Sequence, residues 1–219
     1  MNGRKSQLPV IGVTGNSGAG KGTACKILRR MGGFCIDADK LARQVMEPGR
    51  PAYTEIIDTF GAHIILPDNS IDRKTLGAIV FNDPDKRKVL EHIVHSRVIP
   101  ECARLTAEAQ NHTGYSFVIW DAPLLTEAGM HMHCDMVLLI TALFTIKLSR
   151  ILKRDNITEE QAKQRMSSQT PDGELYRKLT YDIGENLVNI IENNGSIQDL
   201  EEKLRLALQS RGLCKRVGT

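Results

Sequence analysis

Seven residues near the start of the chain, Gly15-Asn16-Ser17-Gly18-Ala19-Gly20-Lys21, constrain the fold more than any others. They match the pattern G-x-x-x-x-G-K. In it, glycines let consecutive backbone N–H groups turn toward one anion, and the lysine reaches the outer phosphates of a nucleoside triphosphate. The pattern is informative when it lies between a strand and a helix. Pro9-Val10-Ile11-Gly12-Val13-Thr14 is a β-branched run too short for a helix, and the residues from about Lys21 to Met31 are helix-compatible, with Gly32-Gly33 as the stop. That context favours a phosphate cradle over an unliganded glycine-rich turn. The residue after Lys21 is Gly22, where serine or threonine usually stands, and the hydroxyl follows at Thr23. Thr23 is therefore expected to serve Mg²⁺, with water as a bridge.

Further strands are expected at Phe34-Cys35-Ile36, Tyr115 to Trp120, Met136 to Ile140 and Leu187 to Ile191. Helices alternate with them. Thr158 to Gln161 has capping-box spacing for a helix to about Ser168. Ser196 and Asp199 open a last amphipathic helix with Ile197, Leu200, Leu204 and Leu208 on one face. Such alternation predicts a parallel sheet with helices on both faces. Residues 40–112 hold helical patterns and several breakers but no strand, too long a stretch for a crossover, and so form a mainly helical insertion. Within it Asp83-Pro84 reads as a cap and first helical residue, and Pro100 as lying near the start of a later helix that begins around Ser96.

At 219 residues the chain has enough length for a hydrophobic core, and 41% hydrophobic with 25% charged residues excludes a disordered or fibrous protein. A net charge of +3 gives no reason to expect nucleic acid or an anionic membrane as partner. Five cysteines, Cys25, Cys35, Cys102, Cys134 and Cys214, show no C-x-x-C and read as free thiols in a reducing compartment. Met136 to Phe144, the longest apolar stretch, is far below the ~20 residues of a membrane span, and Met1 to Leu8 carries no apolar signal segment. The expectation is a cytoplasmic protein. His131, His133 and Cys134 lack a fourth ligand for zinc, and Arg211, Lys215 and Arg216 read as a basic end.

The second strand bears on the phosphoryl acceptor. A phosphate acceptor is already ionised, whereas an alcohol must lose a proton as it attacks, which favours a nearby carboxylate. Asp39 lies just past that strand, and parallel sheets bind ligands beyond the carboxyl ends of their strands. Asp39 is thus either a general base or a cap for the segment beginning at Lys40, and Asp37 a turn or supporting residue. Asp121 ends the third strand, either as an acid in the metal's water shell or as a strand-end turn before Pro123. Arg150 and Arg154 share a helix face, and Arg165 lies on the capped helix beyond; they close over a triphosphate or are merely solvated.

Taken in order, Ile36 to Arg43, Val80 to Pro84, Asp121 to Glu127, Arg150 to Asp155 and Asn193 to Ser196 resemble the signature motifs of dephospho-coenzyme A kinases, over about Ile11 to Leu208. The resemblance implies ATP-dependent phosphorylation of the 3′-hydroxyl of dephospho-coenzyme A. The implied α/β fold is the three-layer P-loop NTPase type, with a central five-stranded parallel sheet. Its nucleotide core would be residues 1–39, 113–141 and 182–219, its acceptor domain 40–112 and its lid 142–181. Lys21, Asp39 and Arg150 become the catalytic set. ATP contacts fall to Gly15 through Thr23, Arg154, Asn194 and Gly195, and acceptor contacts to Asp39, Arg43, His95, Pro123 and Leu124. Mg²⁺ accompanies ATP, served by Thr23 and Asp121 through water. Ser96 stands where a proline is expected after His95, and Tyr181-Asp182 is displaced upstream, which predicts a local insertion. No nucleic acid or membrane partner is implied, and the oligomeric state is expected to be a monomer or weak homo-oligomer. The residues alone leave two rivals, a nucleoside or nucleoside-monophosphate kinase and a non-catalytic nucleotide sensor; a GTPase is disfavoured because no N-K-x-D motif is present.

Overall fold

The computed structural model describes residues 7–213, so Cys214, Lys215 and Arg216 lie outside the described residues. Five strands form one parallel sheet: β1 (Val10–Thr14), β2 (Gly33–Asp37), β3 (Phe117–Asp121), β4 (Met136–Thr141) and β5 (Val188–Glu192), in the order β2-β3-β1-β4-β5. The three inner strands, β1, β3 and β4, are apolar because both of their faces are covered. In β3, Phe117 and Ile119 point to one side and Val118 and Trp120 to the other, and all four are buried. Met136, Leu138 and Ile140 of β4 alternate with Val137 and Leu139 in the same way. The main core joins one face to helices α1 (Lys21–Arg30) and α9 (Ile197–Gln209) through Ile27, Leu28, Leu200, Leu204 and Leu208.

The chain separates into two compact units. One comprises Met1–Ile36 and Thr106–Thr219 and contains the sheet; the other comprises Asp37–Leu105. The second unit is built from α2 (Ala38–Val45), α3 (Pro51–Phe60), α4 (Arg73–Phe81) and most of α5 (Pro84–Ala109). Its core includes Leu41, Ala52, Ile56, Phe60, Ile64 and Leu76. Asp83 caps α5 through the Asp85 and Lys86 amides, as its spacing to Pro84 predicts. The first unit is completed by α6 (Phe144–Asp155), α7 (Glu159–Ser167) and α8 (Asp172–Ile183).

Four local expectations are corrected. Pro100 does not begin a helix but sits inside the 26-residue α5. Ile93, Val94, Val98 and Cys102 are buried on both sides of it, so packing overrides the amide hydrogen bond the proline forfeits. The cap of α2 is Asp37, whose Oδ1 accepts from the Lys40 amide at 2.9 Å, and Asp39 lies within the first turn. Ile197 is exposed because it is the first helical residue, between Ser196 and Asp199 of the capping box and ahead of the buried stripe. Tyr115 lies outside β3, with its ring 5.0 Å from that of Phe34. Tyr181 and Asp182 occupy the last turns of α8, followed by Gly184 and a short 3₁₀ turn before β5.

Candidate active site

β1 is the middle strand, and the chain leaves its carboxyl end directly into Gly15 to Gly20. This is the topological switch point of the sheet, with β3 on one side and β4 on the other. The loop then enters α1, so its amides gather at a helix N-terminus. Two glycines are compelled by geometry. Gly18 has φ +79°, and a Cβ there would lie 2.5 Å from the Lys147 carbonyl oxygen. Gly20, the N-cap of α1, has φ +100°, and its Cβ would meet Asn193 Nδ2 at 2.0 Å. Gly22 differs: a Cβ there meets nothing within 4 Å.

Parallel register sets Val13 beside Asp121, which brings the end of β3 level with the start of the loop. Lys21 Nζ donates to Asp121 Oδ1, in a pair with side chains 18% and 17% exposed. The pair is thus shielded yet reachable, so a phosphate or metal that takes one partner must exchange it from the other. Thr23 is exposed in the first turn of α1. Thr14 Oγ1 donates to the Pro123 carbonyl at 3.2 Å, and Leu124 beyond it is half-exposed.

The loop's carbonyls are pinned from outside. Asn193, only 6% exposed, donates through Nδ2 to the Ala19 oxygen at 2.8 Å. Arg150 donates to the Gly18 and Ala19 oxygens at 3.3 Å each and to the Asn193 oxygen at 3.0 Å. Arg150 therefore grips the loop's backbone. Asn194 Oδ1 accepts from the Leu143 amide at 2.8 Å, and Gly195 gives room to the Asp199 carboxylate of the capping box. Arg154 reaches Ser17 Oγ at 3.3 Å and forks onto Asp155, which Arg165 also contacts. The guanidinium of Arg154, with that of Arg165, holds the Asp155 carboxyl at about 2, below the usual carboxylate range.

Helix α6, the start of α8 and the connection before it supply partners that sequence reasoning missed. The Ser17 amide donates to Gln169 Oε1 at 3.0 Å, and Asn16 Nδ2 donates to Asp172 Oδ1 at 2.7 Å and to the Thr170 oxygen at 2.9 Å. Lys147 Nζ meets the other Asp172 oxygen at 2.9 Å. A cavity of about 460 Å³ lies among Ser17, Lys147, Met166, Gln169 and Asp172. Asn16, Ser17 and Asn193 stood inside recognisable motifs, whereas Gln169, Lys147 and Asp172 carry no local signal. His131 is buried, with Nε2 2.9 Å from Asp182 Oδ2 and Nδ1 3.3 Å from the Leu125 oxygen, while Cys134 Sγ donates to the Met130 oxygen. These partners give His131 and Cys134 a structural role within their loop.

In the second unit, Asp39 and Arg43 are exposed, four residues apart on α2 and so on one face. Arg43 lines a cavity of about 430 Å³ with Met46, Ile71, Arg73, Leu76 and Leu90. His95 is half-buried on α5, and next to it Ser96 donates its hydroxyl to the Ile93 oxygen.

One cluster had no sequence signal. Cys25, Cys35 and Asp121 offer ligand atoms within 4.8 Å of one another, the one such group of three or more among the described residues. The Cys35 thiol is lowered to about 7 by a hydrogen bond from Cys25 and by the Arg29 side chain, and Cys25 is raised by that same bond, by burial and by Asp121.

The sequence profile of the dephospho-CoA kinase family matches residues 9–199. The dephospho-CoA kinase of Geobacter metallireducens is 40% identical over 199 residues, 89% of this chain and 92% of that one. That of Shouchella clausii is 38% identical over 198 residues, 90% of this chain and 96% of the other. Among solved structures, a Thermus thermophilus protein superposes with a TM-score of 0.73 at 29% identity, covering 94% of this chain and 98% of its own. A dephospho-CoA kinase from Campylobacter jejuni does so at 0.63 and 26%, covering 92% and 96%.

Proposed function

The chain belongs to the dephospho-CoA kinase family, and we propose that its own residues divide the work of that reaction between the glycine loop and α2. The reaction is the final step of coenzyme A biosynthesis, an ATP-dependent phosphoryl transfer to an alcohol group. The observation that carries the assignment of residues is the placement of Gly15–Lys21 between the central strand and α1 with Lys21 paired to Asp121. In this reading the amides of Gly15 through Thr23 bind the phosphates of ATP, Lys21 exchanges its carboxylate for the outer phosphates, and Arg150 holds the loop in its binding shape. Arg154 lies beside Ser17 to neutralise charge, and Asn194 and Gly195 border the nucleotide side.

Asp39 takes the proton of the acceptor's 3′-hydroxyl as phosphorus approaches; the proton goes to its carboxylate and the freed oxygen attacks. Arg43 and His95 bind the acceptor, with Pro123 and Leu124 at its edge. A largely shielded carboxylate beside the loop's lysine and a hydroxyl in the first turn of α1 are oxygen donors of the kind Mg²⁺ takes. Asp121 and Thr23 would hold Mg²⁺ through water, where the ion neutralises charge on the phosphate oxygens. Residues 142–181 act as the lid, residues 40–112 as the acceptor domain, and the remainder as the nucleotide core. The same reading has a cytoplasmic enzyme, a monomer or weak homo-oligomer, working on small molecules without nucleic acid or membrane.

The test is a coupled assay offering dephospho-coenzyme A, AMP and nucleosides side by side to the wild type and to Asp39→Asn. Dephospho-coenzyme A is the preferred acceptor, and Asp39→Asn keeps ATP binding while losing ~10²-fold or more in turnover. Near-normal turnover removes Asp39 from the role of base.

A further inference from the structure

Three side chains from three different elements converge beside the loop's lysine: Cys25 from α1, Cys35 from β2 and Asp121 from the end of β3. Nothing in the phosphoryl transfer uses the two sulfurs. Cys25 is buried, while Cys35 and Asp121 are half-buried, so the cluster has an open side toward solvent. No disulfide engages either cysteine.

We propose that Cys25, Cys35 and Asp121 form a site for a thiophilic divalent cation of the zinc or cadmium type. A tetrahedral ion ~2.3 Å from each sulfur and ~2.1 Å from an oxygen sets its ligand atoms ~3.6–3.8 Å apart. With all three within 4.8 Å of one another, closing the site takes a movement of about an ångström or less. Two sulfurs and one carboxylate select a soft or borderline ion over Mg²⁺ or Ca²⁺, which take oxygen. The three protein ligands leave the fourth position for water. Both sulfurs bind as thiolates, so a proton leaves to solvent from each sulfur that carries one. The ion enters with its 2+ charge and no electron is transferred.

Asp121 also holds Lys21, so an ion that takes the carboxylate competes with the lysine for it. This consequence rests on the kinase reading: soft-metal occupancy lowers turnover by taking the Asp121 carboxylate away from the Mg²⁺ that accompanies ATP. The binding site itself does not depend on that reading.

The experiment is a Cd²⁺ titration of the full chain in a phosphine reductant, followed by the ultraviolet thiolate-to-metal charge-transfer band. One ion per chain is expected, with up to two protons released. Cys35→Ser and Cys25→Ala should each weaken binding by more than the ~10–100-fold that outer partners of a metal cost. A chain with Cys102, Cys134 and Cys214 all replaced should bind as the wild type does. Because Cys25 is buried and its variant can fold poorly, the half-buried Cys35→Ser is the decisive one. An absent band, or one that survives Cys35→Ser and vanishes with the other three cysteines, overturns the site. In the transfer assay at free Zn²⁺ fixed by a chelating buffer, Cys35→Ser should match wild-type turnover without zinc and resist inhibition by it. Equal inhibition of both overturns the competition for Asp121. Failure of the kinase reading itself appears as an absence of turnover in every sample, and it leaves the Cd²⁺ titration intact.

Discussion

Asn193 offers the sharpest test of how the glycine loop keeps its shape. Its side chain is buried and holds the Ala19 carbonyl at 2.8 Å, while Arg150 reaches the same oxygen at 3.3 Å. Anchoring carbonyls on the outside of the loop frees its amides to face inward, toward an anion. Replacing Asn193 by alanine removes the shorter of the two bonds but leaves Arg150, so the expected loss is that of one neutral hydrogen bond, ~0.5–1.5 kcal/mol. At 1.4 kcal/mol per decade this lowers ATP affinity by up to ~10-fold. Combining it with Arg150→Ala strips the Ala19 carbonyl of both donors and orphans a buried group, which costs ~1–3 kcal/mol. The double variant should therefore lose more than the sum of the singles, with a coupling of ~0.5–3 kcal/mol. Calorimetric titration with ATP in the absence of acceptor measures this without reference to turnover, and thermal melts separate loop effects from global unfolding. ATP affinities within a factor of two of wild type in both Asn193→Ala and the double variant would falsify the idea that outward anchoring presents the amides.

Gly22→Ala should stabilise the fold by ~0.5–1 kcal/mol, because a Cβ there meets open space and the residue lies in α1; a fall in melting temperature would contradict this reading of the position. Thr126 Oγ1 is buried without a hydrogen-bond partner among the described residues, so Thr126→Val removes a desolvated hydroxyl and should raise the melting point, at ~2–4 °C per kcal/mol. Asp155 has its carboxyl at about 2, below its ordinary 3.8, so its contribution is fully present above about pH 4 and is lost as pH falls toward 2. Wild-type stability should accordingly drop more than that of Asp155→Asn between those values, as followed by urea melts.

The positions of the strands along the chain and the loop between β1 and α1 were legible because each rests on local chemistry: β-branched runs, glycine at turning points, caps at fixed spacing. The reading of Asp39 as the cap failed because cap and first-turn positions differ by only one or two residues, and composition does not separate Asp37 from Asp39. Pro100 misled for a related reason. A proline signals a helix start only where packing is indifferent, and around it Val98 and Cys102 are buried. The contacts of Gln169, Asp172 and Lys147 with the loop join positions more than a hundred residues from it, and no periodicity in the chain marks them. The Cys25–Cys35–Asp121 cluster escaped notice because a helix and two strands bring the three together, whereas metal-ligand motifs are recognised by short, repeated intervals.

The bond from Ser17 to Gln169 has a thermodynamic consequence for nucleotide capture. A phosphate oxygen that reaches this amide must first evict the glutamine, so the gross attraction is discounted by whatever the internal contact was worth. Under the proposed role of the loop, such an exchange trades raw grip for easier release of the spent nucleotide, with Gln169 placed to refill the amide as the product departs.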